Sequence, residues 1–253
     1  MNSATTLTST YHGAGPLRSE PRPLPQNDWA HLLLSLPWAR DLDTTAVSTI
    51  HNLARQQRIK AGFYVARRGS PPQHWTCVLE GQVRLHLTAP DGNQTALLHI
   101  NKGESFDESV LVAGGNRSYD AITVRETSML QIPAHVFHWL VANQPSFAQH
   151  VMKLIAARSE NLARTIESDR LYDTSRRVAR CVAALVEHAQ AQGRSAFVRM
   201  PQRELGMLSG VSRQRTNAAI RRLTSLNILR SDTQGLSIAD MQALRDFAGI
   251  DMR

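Results

Sequence analysis

The chain has only two cysteines in 253 residues, Cys77 and Cys181. They lie far apart without CxxC or Cys/His spacing, which excludes a disulfide framework and a cysteine metal cluster and suits two thiols in a reducing cytosol. No apolar run approaches the roughly 20 residues of a membrane span. The first residues lack the basic start and apolar segment of a signal peptide, so a cytoplasmic location with no membrane partner is expected. Signatures of catalysis are missing too. There is no G-x-S-x-G, no P-loop and no HExxH, so neither an enzyme activity nor a metal or cofactor is expected. Lysine is the last scarcity: none follows Lys153.

The positive charge of the C-terminal third is therefore carried by arginine alone. Residues 173–253 hold thirteen Arg and seven Asp or Glu, a net +6 out of +8 for the whole chain. A basic module of this size favours a polyanionic partner. With 42 % hydrophobic residues, the chain can bury the core of one large or two modest domains.

Residues 1–25 are rich in Ser, Thr, Gly and Pro and poor in large apolar groups, which predicts a flexible tail. Helical spacing begins in "NDWAHLLLSL", with Asn27 or Asp28 as cap, and returns in "DTTAVSTIHNLARQQRI" behind Asp43. From Ile59 to Ile132 the pattern changes to short runs punctuated by glycine: "FYVARRG", "WTCVLEG", "QVRLHL", "TALLHI", "AITV" and "SMLQI". Asp91-Gly92 is a tight hairpin signal, and some six short strands at this spacing suggest an antiparallel barrel or roll. His86 and His99 fall at facing positions around that hairpin and read as a solvated strand face. After Pro133 helical periodicity resumes and runs without Pro or Gly through "SFAQHVMKLIAARSENLARTIES". There Ala148, Met152, Ile155, Ser159, Leu162 and Ile166 alternate steps of four and three, the seam of a two-stranded coiled coil, while Phe147, Val151 and Leu154 form a second stripe for packing on the roll. Asp173 caps the next helix and marks a domain boundary.

"PQRELGMLSG" followed by "VSRQRTNAAIRRL" reads as two short helices around a turn. Leu205, Leu208 and Val211 are packing positions, Gly210 permits the turn, Ser212 caps the second helix, and Ala219, Ile220 and Leu223 face inward. The second helix then presents Arg213, Gln214 and Asn217 from its first turns, the part of a recognition helix that reaches base edges. Arg215, Arg221 and Arg222 are assigned to phosphates or solvent. "ILRSDTQGLSI" supplies two short strands around Gly235, a small wing.

A glycine-punctuated roll, a long helix and a winged helix-turn-helix in this order, with "RELGMLSGVSR" as the more specific stretch, resemble the Crp/Fnr family of bacterial transcription regulators over roughly residues 26–245. The resemblance implies an α+β chain: an N-terminal cyclic-nucleotide-binding-like antiparallel β-roll (26–143), a long dimerisation helix (144–172) and a C-terminal winged helix-turn-helix (173–253). It also implies a homodimer on double-stranded DNA, with RNA polymerase and a small-molecule effector as further partners. Gln214 stands where many members have Glu, so their operator sequence does not carry over. A cyclic-nucleotide-binding signalling protein acting through protein contacts is the alternative.

In cyclic-nucleotide-binding relatives the phosphate and ribose are held by a Gly-Glu segment and, about ten residues on, by Arg-Ser/Thr-Ala. Here Phe106-Asp107-Glu108 and Arg117-Ser118-Tyr119 stand in those places. The resemblance makes Glu108 the ribose-hydroxyl acceptor and Arg117 and Ser118 the phosphate donors. Asp107 replaces the glycine beside the phosphate and Tyr119 replaces a small residue, and a carboxylate there repels an anion. Binding of cyclic AMP is therefore expected to be weak or absent, with Asp107 paired to Arg117 or the pocket adapted to another ligand.

Overall fold

Asp43 opens a helix ahead of the strands: its Oδ1 accepts the Ala46 amide hydrogen at 2.7 Å and caps α1 (Thr44–Leu53). In this computed structural model the described residues are 33, 35–92, 94–191, 197–198, 202–232 and 235–250. The expected tail and most of the helix expected behind Asn27 or Asp28 lie outside them. The helical pattern read through Ile59 stops earlier. Arg55–Ile59 is β1, because its backbone pairs with β6 (Asp120–Pro133), from Arg55↔Gln131 to Ile59↔Thr127, and this buries Ile59.

The N-terminal unit is an antiparallel six-stranded roll. Its path runs β1, β6, β3 (His74–Thr88) and β4 (Gln94–Asn101), with β2 (Tyr64–Ala66) also on β6 and β5 (Ser105–Phe106) also on β3. The two long strands each absorb two of the runs that glycine and polar residues seemed to separate. Gly81 does not end β3. Its φ is 95°, and a Cβ there would strike the Glu126 carbonyl and Thr127, so only glycine lets β6 pass while the register shifts.

Alternation along β3 feeds two cores. Val78, Val83 and Leu85 meet Ile59, Ile100, Phe106, Ala121 and Met129 inside the roll. Trp75, Cys77 and Leu79 face the helices, where Trp38, Trp75, Phe137 and Phe147 pack edge-on or tilted at centroid distances of 4.8 to 5.7 Å. Burial pushes the Cys77 thiol far up, leaving it inert. Helix α2 (Glu108–Ala113) and α3 (Ala134–Asn143) complete this layer.

Helix α4 (Pro145–Leu171) divides its faces much as its spacing predicts, except that Ile155, expected in the exposed seam, packs against the core with Phe147 and Val151. Phe147 and Val151 are buried against the roll and Leu154 and Ile155 half-buried, while Met152, Leu162 and Ile166 stand 63 %, 50 % and 51 % exposed. Asp173 then caps α5 (Thr174–Ala191), accepting the Arg176 amide hydrogen at 2.9 Å. The C-terminal unit continues with β7 (Phe197–Val198), α6 (Gln202–Leu208), α7 (Arg213–Ser225), β8 (Leu229–Asp232), β9 (Gly235–Ile238) and α8 (Met241–Ala248). Its three strands lie in the order β7-β9-β8 around a core of Val178, Val182, Val186, Leu205, Ile220, Leu223, Leu236 and Leu244. Burial raises the Cys181 thiol to about 12. Among the described residues no group of His, Cys, Asp and Glu could hold a metal ion, and no helix is long and apolar enough to cross a membrane.

Candidate effector pocket and nucleic-acid interface

Asp107 sits at the mouth of α2 with φ 79°, the left-handed region that ordinarily calls for glycine. Its side chain does not cap α2; it turns to the pocket instead. Arg117 grips it with both prongs, Nε to Oδ1 at 2.8 Å and Nη2 to Oδ2 at 2.6 Å, and the Tyr119 hydroxyl donates to Oδ1 at 2.7 Å. The third guanidinium nitrogen donates to Ser70 Oγ at 3.0 Å and the Pro71 carbonyl at 3.2 Å. Asp107 is 1 % exposed. Burial, and then the Asp107 charge, push the Tyr119 hydroxyl far up, so it stays a donor. A carboxylate thus takes the two-pronged bond through which an arginine holds a phosphate.

Glu108 is fully buried beside it and accepts from Trp75 Nε1 at 3.3 Å. Its partner is Arg158 of the long helix, which forms an ion pair with Oε1 and also donates to the Ser105 carbonyl. Burial lowers Arg158 to about 10, with Glu104 and Asp107 opposing, so it remains a cation at neutral pH. Two residues expected in the pocket are elsewhere. Phe106 is fully buried in the roll core, paired across to Thr76, because the two-residue β5 points it inward. Ser118 is exposed, in the bend between Arg117 and Tyr119 that precedes β6. Arg158 and Ser70 were not anticipated. Arg158 continues the stripe of Phe147, Val151 and Leu154 by one more turn, a signal open to reading.

The helix-turn-helix is built tightly. A Cβ on Gly206 would stand 2.8 Å from the Val211 carbonyl and 2.9 Å from Thr216 Oγ1, so glycine is what lets α6 meet α7. Gly210 takes φ 61° in the turn, and Ser212 Oγ accepts the Arg215 amide hydrogen at 3.5 Å to open α7. Thr216, Ala219, Ile220 and Leu223 are buried. Arg213, Gln214, Arg215 and Arg221 are exposed and Asn217 is half-buried. Gln202, Asn217, Ile220, Arg221, Thr224 and Ser225 line a shallow groove of 460 Å³ beside this face. Arg222 is drawn to the other flank, where its guanidinium lies 5.4 Å from the Phe247 ring and 3.5 Å from Ser175 Oγ.

The two histidines on the roll's hairpin neither face each other nor meet solvent. A register shift after Leu85 sets His86 opposite Ala96 and His99 opposite Arg84. His99 and Arg84 are covered by Glu204 of α6: Arg84 Nη1 donates to Glu204 Oε1, and His99 Nε2 lies 3.2 Å from Oε2. Burial raises the Glu204 carboxyl, but His99 and Arg84 outweigh it and hold it at about 2.

A sensor-type roll joined by a long helix to a winged helix-turn-helix defines the class of two-domain DNA-binding regulators. Residues 56–144 match the cyclic nucleotide-binding domain and residues 176–247 the Crp-like helix-turn-helix domain, together more than half of the chain. The chain belongs to the Crp/Fnr family of transcription regulators. It is similar to the cyclic AMP receptor protein of Thermus thermophilus, 25 % identical over 209 residues that cover 78 % of this chain and 95 % of that protein. The CRP-like cAMP-activated global transcriptional regulator of Mycobacterium tuberculosis is 20 % identical over 206 residues, covering 80 % and 92 %. FixK2 of Bradyrhizobium japonicum shares the fold with a TM-score of 0.68 at 17 % identity, covering 77 % of this chain and 97 % of that one.

Proposed function

We propose that this chain is a homodimeric, sequence-specific DNA-binding transcription regulator whose effector is not cyclic AMP. The observation that carries the reading is the Asp107–Arg117 pair: the guanidinium that a cyclic nucleotide's phosphate needs is already engaged by a buried carboxylate, with Tyr119 on the same oxygen. An incoming phosphate has to displace Asp107, leaving it buried beside a second negative charge. The names of two relatives include cyclic AMP; this pocket departs at the position that meets the anion.

Dimerisation is supported by the exposed Met152, Leu162 and Ile166 on one face of α4, and DNA reading by Arg213, Gln214, Asn217 and Arg221 on α7. Residues 1–25, 26–143, 144–172 and 173–253 then serve as tail, effector domain, dimer helix and DNA-binding domain.

Calorimetric titration tests the effector reading. No heat of binding is expected with cyclic AMP on the wild-type chain, and binding is expected with Asp107→Gly. Micromolar binding by the wild type, unchanged in the variant, overturns it. Selection from random-sequence duplex DNA tests the operator, and transcription with purified RNA polymerase then reads the sign of regulation.

A further inference from the structure

The contact between the roll and the helix-turn-helix has no place in either site, yet it holds the DNA-binding domain at two points. On one side the β3–β4 hairpin covers the outer face of α6: Arg84 and His99 enclose Glu204, and the Thr95 hydroxyl donates to the Met207 carbonyl at 3.4 Å. The Arg84 and Glu204 side chains are only 10 % and 11 % exposed and that of His99 is 4 % exposed. On the other side Asp169, near the end of α4, holds Arg177 of α5 at 2.6 Å, and Arg177 Nη2 donates to the Ser209 and Gly210 carbonyls of the turn at 2.9 and 3.0 Å.

What the clasp covers is informative. Glu204 and Met207 are buried, whereas Gln202 and Arg203 at the start of α6 and Arg213, Gln214, Arg215 and Arg221 of α7 are exposed. In helix-turn-helix docking the second helix enters the major groove and the first crosses the backbone. The clasp leaves both of those surfaces open and fixes only how the module is aimed. A two-fold dimer reads two half-sites at a set separation, and a module free to swing is in register for only a fraction of the time, weakening apparent affinity by that fraction.

We propose that Arg84 and His99, in the effector domain, are positioning residues for DNA recognition: by clasping Glu204 they hold each recognition helix at the spacing and angle the operator requires. Neither touches DNA. The proposal rests on the homodimeric DNA-binding reading above. Because the clasp joins the hairpin of the roll to α6 directly, it is also a second connection between the domains besides the continuous chain from α4 to α5.

The test uses the full chain and an operator fragment that the wild-type protein selects from random duplexes, remade with the half-sites moved one or two base pairs closer or farther apart. Arg84→Gln should bind the selected fragment about tenfold more weakly, while its affinity for the respaced fragments stays near the wild-type value, so that the spacing preference flattens. The dependence on salt should be unchanged, because the phosphate contacts of α7 are intact. His99→Gln, which loosens the other side of the clasp, should shift affinity and spacing preference in the same direction. If Arg84→Gln does not fold, His99→Gln carries the same test on the same fragments. Full affinity and an intact spacing preference in whichever of Arg84→Gln and His99→Gln folds overturn the positioning role. A wild-type chain that selects no DNA overturns instead the reading on which the proposal rests.

Discussion

Arg158, midway along α4 on the stripe that packs against the roll, reaches into the roll and pairs with Glu108, a carboxylate with no exposed surface. The pair ties the pocket to the helix that carries the exposed apolar stripe. Breaking a buried pair by deleting one partner leaves an uncompensated charge, which costs roughly 3 to 5 kcal/mol. Arg158→Ala should therefore lower the denaturation midpoint sharply, and Glu108→Gln in the same chain should recover much of the loss. Denaturant titration of Arg158→Ala, Glu108→Gln and the double variant checks this; a fully additive loss in the double variant would show that the two side chains do not interact.

Asp107→Gly sets two effects against each other. Glycine relieves the left-handed backbone at φ 79°, worth about 1 kcal/mol. The substitution also strips Arg117 of its two-pronged partner and Tyr119 of its acceptor, a loss of roughly 3 kcal/mol or more. The second wins, so the ligand-free variant should unfold at lower denaturant by about 2 kcal/mol. Asp107→Asn keeps an acceptor for Tyr119 and should fall between the two. A variant more stable than wild type would mean that backbone strain governs this position.

The apolar seam on α4 should fail when charged. Leu162→Glu or Ile166→Glu places two like charges across a two-fold axis in a narrow stripe. Sedimentation equilibrium at micromolar concentration should show a dimer for the wild type and a monomer for either variant, with unchanged helix content by circular dichroism. A dimeric Leu162→Glu chain would move the interface to another surface.

Much of this was legible in sequence because each feature rests on local chemistry. The caps Asp43, Asp173 and Ser212 announce their helices through a side chain that accepts an amide hydrogen within three residues. The stripes of α4 follow from helical spacing alone. The boundaries within the roll were not legible: Gly81 looks like a terminator, and only the proximity of Glu126 and Thr127, far away in sequence, shows it to be a crossing point within one strand. The burial of His99 was hidden for the same reason. Its cover, Glu204, comes from the other domain, and a one-residue register shift after Leu85 sets which strand residue it faces. The pairing of Asp107 with Arg117 was accessible because it follows from charge at two positions of a motif, whereas the exposure of Ser118 depends on the course of the bend ahead of β6.

On α7 the exposed side chains separate into roles. Arg213→Ala or Gln214→Ala should weaken the selected operator by about 1 to 3 kcal/mol and relax preference at one base pair. Arg221→Ala should weaken all duplexes alike and reduce the salt dependence by about one ion. Arg222, resting on Phe247 and Ser175, should instead lower the stability of the domain with little effect on readout. Competition binding against random DNA checks the set; a loss of base preference in Arg222→Ala would place that side chain in the groove.

His86 gives the roll a dependence on acid. It is 1 % exposed on β3, with Arg84 two residues before it, Asp120 opposite it on β6, and Tyr64 and Arg67 nearby. Burial lowers its pKa first and Arg84 further, while Asp120 opposes. In the unfolded chain an imidazole titrates at about 6.5. Below that pH the unfolded state takes up a proton that the folded state resists, so stability is intact above about pH 6.5 and falls on acidification. His86→Gln, which cannot titrate, should lose less stability than wild type between pH 7.5 and 5.5. His74 and His150, both also lowered by burial, should act in the same direction. Melting temperatures of both proteins across that range decide the matter, and parallel curves would show that His86 is protonated without cost.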